Sequence, residues 1–153
     1  RGGYDDGGGT IYSVKAGASG NITPNSGETT SEGVLWSRPK SGLQAASPLI
    51  YDGYVYVLTR RAGMVSCYDA KTGEPAYQRK RIPGARAFWA SPWAYGGKVF
   101  CLDDSGTTHV LKTGREFQVL DKNMLDEQCW ASSAITGDTV ILRGVDHVYS
   151  FKK

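Results

Sequence analysis

Residues 46–58 read Ala-Ser-Pro-Leu-Ile-Tyr-Asp-Gly-Tyr-Val-Tyr-Val-Leu. Residues 90–102 align with them without a gap and read Ala-Ser-Pro-Trp-Ala-Tyr-Gly-Gly-Lys-Val-Phe-Cys-Leu. A third copy, residues 131–142, reads Ala-Ser-Ser-Ala-Ile-Thr-Gly-Asp-Thr-Val-Ile-Leu. The copies begin 44 and then 41 residues apart, a spacing typical of repeat architectures. The chain is therefore built from repeated units of about 40 residues.

The composition favours strands joined by tight turns. The 153 residues suffice for one domain with a hydrophobic core, and they include nine Tyr, four Trp, four Phe and twenty Gly. No stretch keeps an apolar stripe at helical spacing, and no run approaches the roughly 18 apolar residues of a membrane span. The net charge of +3 is too small to indicate nucleic-acid binding. The basic run at residues 79–81 is interpreted as a solvated strand edge, with a polyanion contact as the alternative.

Each complete unit reads as four short strands separated by turn residues. The pairs Asp52-Gly53 and Gly96-Gly97 stand between the first two strands of their units, where both residues of a tight hairpin turn need positive φ. Strands are predicted at 47–51, 54–59, 64–68 and 75–81 in the first unit, and at 91–95, 98–102, 107–111 and 116–120 in the second.

These strands divide the chain into five segments. The first is a flexible N-terminal loop, and the second is a partial unit of two strands with a long polar insertion. Two complete units follow, and the last segment is a partial unit of three strands. In chain order the segments are residues 1–9, 10–45, 46–89, 90–130 and 131–153.

Four-stranded antiparallel units of about 40 residues are the blades of β-propellers. The predicted fold is therefore all-β, a partial propeller of about 3 to 3.5 blades. The signature residues of WD repeats are absent, and Kelch blades are longer. Propellers close with roughly four to eight blades, so the two open ends of this stretch need a cover. We expect either the earlier blades of a longer chain or other copies of this one.

The turn after the third strand of the first complete unit carries a pattern of its own. An apolar strand is followed by Asp69, then by Thr72-Gly73, and then by Tyr77. This pattern resembles the PQQ-like (quinoprotein-type) propeller repeat, in which Trp stands where Tyr77 stands here. Trp36 takes that place in the first partial unit. The resemblance is closest to the non-catalytic, BamB-like members, and it implies an interaction or assembly role in the cell envelope, the periplasm or outside the cell.

Catalytic members of that family hold pyrroloquinoline quinone and calcium beneath a disulfide between adjacent cysteines. Cys67, Cys101 and Cys129 are far apart in the sequence, so we expect no cofactor. Buried free thiols are one interpretation, and one disulfide with a spare thiol is the other. His109 and His147 lie one unit apart, which favours a structural role over a shared metal. No nucleophile, phosphate-binding or dinucleotide motif appears, so we predict no catalytic, cofactor-binding or metal-binding residue.

One end of the predicted propeller is expected to carry two kinds of loop. In an up-and-down blade, the turns between strands two and three lie at the same end as the loops that join one blade to the next. Arginine and aromatic residues gather there, a composition typical of interaction hot spots. In the alternative interpretation, Trp89 and Trp130 fill the gaps between blades. The candidate interaction face comprises Arg60, Arg61, Arg86, Phe88, Trp89, Asp103, Asp104, Trp130 and Arg143.

These observations favour a non-catalytic propeller that serves as a protein-interaction or assembly scaffold. Its expected partners are proteins, or other copies of itself bound through open blade edges, and neither nucleic acid nor a membrane span is expected. Two alternatives stay open. In the first alternative, the chain is the C-terminal part of a PQQ-dependent dehydrogenase. In the second, it is a self-assembling structural or filament subunit.

Overall fold

A computed structural model describes residues 9–43 and 45–152 of the chain. The described residues form strands and turns, and within them no helix is long and apolar enough to cross a membrane. The loop predicted for residues 1–9 falls outside this part of the chain except for Gly9, which begins the first strand. The strands are β1 (Gly9–Val14), β2 (Val34–Leu43), β3 (Leu49–Tyr51), β4 (Tyr54–Thr59), β5 (Met64–Asp69), β6 (Pro75–Arg81), β7 (Trp93–Tyr95), β8 (Lys98–Leu102), β9 (Thr107–Lys112), β10 (Val119–Met124), β11 (Ala134–Thr136), β12 (Thr139–Arg143) and β13 (Val148–Lys152).

The strands form four antiparallel sheets, which we call blades 1 to 4 in chain order. Blade 1 contains β1 and β2, blade 2 contains β3 to β6, blade 3 contains β7 to β10, and blade 4 contains β11 to β13. Each strand pairs with its neighbours in sequence, so every blade is an up-and-down meander. By position, β1 corresponds to the third strand of a complete blade and β2 to the fourth.

The hairpin turns form as their residues predict. Asp52 and Gly53 have φ values of 51° and 76°, and Gly96 and Gly97 have values of 57° and 72°. Two consecutive residues with positive φ twist a two-residue turn in the sense that matches the twist of its strands. Glycine adopts this conformation without a steric penalty, which explains its place in both turns.

A ladder of serine hydrogen bonds joins blades 2, 3 and 4 at the repeated Ala-Ser step. The amide of Ser47 donates to Ser91 Oγ, and the amide of Ser91 donates to Ser132 Oγ, both at 2.9 Å. Because these amides bond to the next blade, they do not join the ladder of their own sheet. The first strands of blades 2 and 3 begin at Leu49 and Trp93, two residues later than predicted.

The last strand of blade 3 also begins later than predicted. It was expected at residues 116–120 and is observed at Val119–Met124. The amide of Lys112 donates to the carbonyl of Gln118, and Lys112 Nζ lies 2.9 Å from the Glu116 carboxylate. These bonds close a loop that contains Glu116, so the strand starts after the loop.

The blades stack through apolar faces. The largest core cluster lies between blades 2 and 3, and a smaller cluster of Ala90, Leu102, Cys129 and Leu142 lies between blades 3 and 4. A fully buried aliphatic or aromatic side chain contributes about 1.5–3 kcal/mol, so this stacking is the main source of stability. The larger cluster includes Tyr56, Leu58, Val65, Cys67 and Tyr77 of blade 2, and Val99, Cys101 and Leu111 of blade 3.

The turn between β5 and β6 receives the side chain of Trp36 from blade 1. The amides of Lys71 and Thr72 donate to Asp69 Oδ1 at 2.9 Å, which closes the turn. Gly73 has a φ of 69°, and a Cβ at this position would lie 2.5 Å from the Trp36 ring. Trp36 Nε1 also donates to the carbonyl of Ala70 at 3.0 Å. The Asp, Thr-Gly and Trp positions of the repeat thus act together in joining one blade to the next.

Candidate functional site

Two kinds of loop meet at one end of the blades, as the up-and-down connection requires. The amide of Phe88, in the loop between blades 2 and 3, donates to the carbonyl of Arg60 in the β4–β5 turn at 3.0 Å. The amide of Asp104, in the β8–β9 turn, donates to the carbonyl of Ala87 at 2.9 Å. The loop between blades 2 and 3 is therefore tied to the turns of both flanking blades. We call this end, formed by the β4–β5, β8–β9 and β12–β13 turns and the loops between blades, the loop face.

A buried carboxylate fixes the loop face at blade 3. Asp103 Oδ1 accepts hydrogen bonds from the amides of Ser105 and Thr107, at 3.0 and 3.1 Å. Its Oδ2 accepts from the amide of Arg86 at 3.1 Å and lies 3.0 Å from His109 Nε2. Burial alone would raise the pKa of Asp103, but these hydrogen bonds outweigh it and lower the pKa to about 2. The carboxylate is therefore ionised at neutral pH and joins the inter-blade loop to the turn.

A second carboxylate has the same role at blade 4, but its residue belongs to the inter-blade loop and binds the turn, whereas Asp103 belongs to the turn and binds the loop. Glu127 lies in the loop between blades 3 and 4, and its carboxylate accepts from the amides of Asp146 and His147 in the β12–β13 turn. It also accepts from the Tyr149 hydroxyl at 2.6 Å and lies 3.3 Å from His147 Nδ1. The Tyr149 hydrogen bond is the main cause of a Glu127 pKa lowered to about 2. His109 and His147 thus each bind a separate carboxylate in adjacent blades.

The anchoring role of Glu127 was not predicted from the sequence. Glu127 is 19 and 20 residues from the two amides that it binds. No local turn pattern links residues so far apart in sequence. One available signal was the position of Glu127 between two repeat units, shortly before the Ala-Ser step.

Trp89 and Arg60 form a cation–π pair on the loop face. The Arg60 guanidinium carbon lies 3.8 Å from the centroid of the Trp89 ring. Trp89 is 39% exposed. Stacking holds the long arginine side chain in place, which reduces the entropy that it would lose on binding a partner.

Trp130 and Arg143 form a second aromatic–arginine site one blade further on. They line a cavity of about 380 Å³ together with Ala131, Gly144 and Val145. Trp130 is 57% exposed. Both tryptophans directly precede an Ala-Ser step, so the repeat places them at equivalent positions, and both are partly exposed.

The remaining predicted residues lie at different depths. Arg86 is exposed and pairs with Asp104 at 3.7 Å, and Arg61 is exposed in the β4–β5 turn. Phe88 and Asp103 were predicted on the face, but both are fully buried. The Phe88 ring packs edge-on against His109 inside the core, and Asp103 binds the amides beneath the surface. These two residues support the loop face and do not contribute to its surface.

The described residues contain no group of three or more His, Cys, Asp or Glu side chains arranged to hold a metal ion. Cys67, Cys101 and Cys129 are buried free thiols. Burial raises the pKa of the Cys67 thiol to about 12, and it also raises that of Cys129. A thiol with a raised pKa is a poor nucleophile at neutral pH, so these cysteines serve in packing.

Comparison with known proteins identifies the fold. No family model matches the chain, and no curated protein matches it. Two computationally designed proteins with propeller-like structures are similar to it. Ika4 has a TM-score of 0.60 at 15% identity, with 80% of this chain and 74% of that chain covered. Ika8 has a TM-score of 0.51 at 17% identity, with 69% of this chain and 32% of that chain covered.

The structure of BamB from Moraxella catarrhalis is also similar, with a TM-score of 0.47 at 14% identity. The match covers 80% of this chain and 50% of that chain. The chain thus spans about half the length of BamB and about a third of Ika8. The likeness to Ika4 and Ika8, together with the four antiparallel sheets, confirms the predicted all-β, partial propeller fold.

Proposed function

We propose that this chain is a non-catalytic propeller scaffold that binds a partner protein through the loop face. The observation that carries the proposal is the repeated juxtaposition of an exposed tryptophan and an arginine: Trp89 stacks with Arg60, and Trp130 lines one cavity with Arg143. Tryptophan and arginine are the residue types most enriched among interface hot spots. The exposed parts of two tryptophan rings are costly to hydrate, and a partner that covers them removes this cost.

The support beneath this face is rigid, which suits a binding role. Asp103 and Glu127 hold the loops by charge-assisted hydrogen bonds to backbone amides. A surface fixed in this way loses little conformational entropy when a partner binds, so more of the contact energy contributes to affinity.

The arginines beside the two tryptophans favour a partner that carries carboxylates. Arg60 stacks on Trp89 and Arg143 lines the cavity beside Trp130, whereas Arg86 is paired with Asp104, and the Asp103 and Glu127 carboxylates are already engaged by amides. Arginine binds carboxylates through paired hydrogen bonds, and a neighbouring tryptophan can pack against an apolar side chain. We therefore propose that the bound segment combines carboxylates with a large apolar residue.

The proposal is tested by measuring the affinity of a partner captured from native extract for purified variants. Trp89→Ala and Trp130→Ala should each weaken binding about 30-fold, because removing a hot-spot side chain costs about 2 kcal/mol. Tyr95→Ala is the matched control, since Tyr95 is 61% exposed but lies in β7, away from the loop face. Equal affinities for the wild type and both tryptophan variants would contradict the proposal.

We also propose that the repeat is of the PQQ-like type without the cofactor. This rests on the Asp69 turn, with Gly73 against Trp36, and on the lack of adjacent cysteines in the sequence. The alternative of a dehydrogenase fragment requires cofactor uptake. Calorimetric titration with pyrroloquinoline quinone and calcium distinguishes them, because stoichiometric binding would favour the dehydrogenase.

A further inference from the structure

A small polar pocket lies between blades 1 and 2. Its volume is about 130 Å³, and it is lined by residues of β2, β4, β5 and β6, none of which belongs to the turns and loops of the loop face. Three cationic side chains line it, those of Arg38, Lys40 and Arg79, together with four hydroxyl groups. Among the described residues that line it there is no carboxylate. The composition of the pocket therefore favours a negatively charged ligand.

Two strand bulges form walls of this pocket. In blade 2, Gln78 and Arg79 of β6 lie opposite the single residue Ser66 of β5. In blade 1, residues 39–42 of β2 lie opposite Thr10 of β1. A bulge interrupts the alternation of side chains along a strand, and bulges are frequent beside functional sites because they redirect side chains. Residues of both bulges line the same pocket.

Each bulge holds a basic residue in the left-handed region of backbone conformation. Lys40 has a φ of 54° and Arg79 has a φ of 47°. Asp52 and Ala62, the other non-glycine residues with positive φ in the described part of the chain, lie in turns, whereas Lys40 and Arg79 lie within strands. This conformation strains a residue that has a Cβ, and such strain is concentrated at binding sites. Glycine would relieve the strain at both positions, yet both carry a cation that lines the pocket.

The uncompensated positive charge of the pocket comes from Lys40 and Arg79. Arg38 donates from Nε to the carbonyl of Gly73 at 2.6 Å and from Nη2 to the Glu74 carboxylate, which compensates its charge. Within the described residues, no carboxylate pairs with Lys40 or with Arg79. These two cations can therefore bind an added anion without first breaking an ion pair.

Two buried hydroxyl groups of the pocket also lack a protein partner. Tyr68 is 3% exposed and Thr59 is 9% exposed, and both line the pocket. Neither hydroxyl forms a hydrogen bond with any residue that the structure describes. Buried polar side chains normally have a hydrogen-bond partner. Each of these hydroxyls can donate a hydrogen bond to an anion in the pocket.

We propose that this pocket binds one tetrahedral oxyanion, a phosphate or sulfate group, as the free ion or as the end of a monoester. Lys40 and Arg79 supply the charge, and the hydroxyls of Tyr68 and Thr59 donate hydrogen bonds. The volume of about 130 Å³ equals that of about four water molecules, which suits one such group and is too small for a nucleotide. The basic run at residues 79–81 thus contributes one residue, Arg79, to a small-anion site.

Calorimetric titration of the purified chain with inorganic phosphate and with sulfate tests the site, at low salt because added ions screen the charges. The wild type should bind one ion per chain. Lys40→Gln and Arg79→Gln should each weaken binding about 10-fold, because each removes a charge-assisted hydrogen bond. Lys80→Gln is the matched control: it removes the same charge from an exposed neighbour that does not line the pocket, so its affinity should equal that of the wild type. No saturable binding of either ion, or an equal loss for Lys80→Gln, would overturn the proposal.

Arg79→Gly separates the loss of binding from a loss of folding. It removes the guanidinium and also relieves the positive φ, while the backbone amide that donates to Ser66 Oγ at 3.0 Å remains. We expect this variant to unfold at the temperature of the wild type or above it, and to bind phosphate about 10-fold more weakly. Wild-type affinity for phosphate in this variant would contradict the role of Arg79.

Methyl phosphate distinguishes the two sources of the group. An affinity equal to that of inorganic phosphate would indicate a monoester as the ligand, because the esterified oxygen would then lie at the opening of the pocket. An affinity at least about 10-fold lower would indicate the free ion, because the pocket would then bind the fourth oxygen as well.

Discussion

Replacing Gly106 by alanine should lower the free energy of unfolding by about 4 kcal/mol, at the upper end for a single substitution. Gly106 lies in the β8–β9 turn with a φ of 85°, and the inter-blade loop crosses directly above it. A Cβ there would overlap the carbonyl oxygen of Glu127 and lie 2.8 Å from that of Leu125. Both obstacles are backbone atoms, so relief requires a shift of the loop that Glu127 anchors.

Gly97→Ala is the matched control for Gly106→Ala. Gly97 also has a positive φ, of 72°, but a Cβ there meets no atom within 4 Å. It should therefore cost only the backbone penalty of about 1–2 kcal/mol. Urea denaturation of both variants measures the difference. A loss for Gly106→Ala no larger than that for Gly97→Ala would mean that the inter-blade loop does not cross the turn as described.

Tyr77→Ala should cost about 3 kcal/mol, because it removes a buried aromatic ring from the largest core cluster. Tyr77 is 7% exposed and packs edge-on against Phe117, with 5.5 Å between ring centroids. Since Phe117 belongs to blade 3, the ring joins two blades. The same denaturation measurement provides the value.

Two controls separate the ring from other effects. Tyr77→Phe keeps the ring and should cost less than about 1 kcal/mol, and Tyr95→Ala removes an exposed ring and should have a similarly small effect. If Tyr77→Ala changed stability by less than about 0.5 kcal/mol, Tyr77 would not be a buried contact between blades.

The repeated Ala-Ser step, the Asp-Gly and Gly-Gly turns and the strand-rich composition were sufficient to predict the propeller fold. These are local signals, because a turn needs particular φ values and a strand a particular pattern within a few residues. The contacts between blades were not predictable in the same way. The Ser47–Ser91 hydrogen bond depends on how two sheets are placed, and neither residue shows this in its own neighbourhood.

The candidate site was predicted in part for the same reason. Alternation of connections put Trp89 and Trp130 near one end of the blades, and the structure leaves both exposed. The alternation of connections did not indicate which side chains of a loop are buried and which are exposed. Phe88 precedes Trp89 directly, yet its ring turns inward against His109 while the Trp89 ring lies under Arg60. In an irregular loop no fixed period relates neighbouring side chains to inside and outside.

The repeated Ala-Ser steps join blades 2, 3 and 4 to one another. Hydrogen exchange of individual amides by NMR tests this connection most directly. Ser47 and Ser91 lie outside the strands, but their amides should exchange as slowly as those of the neighbouring strands because each donates to the serine of the next blade. Exchange of both amides at the rate of an unstructured loop would contradict the blade arrangement.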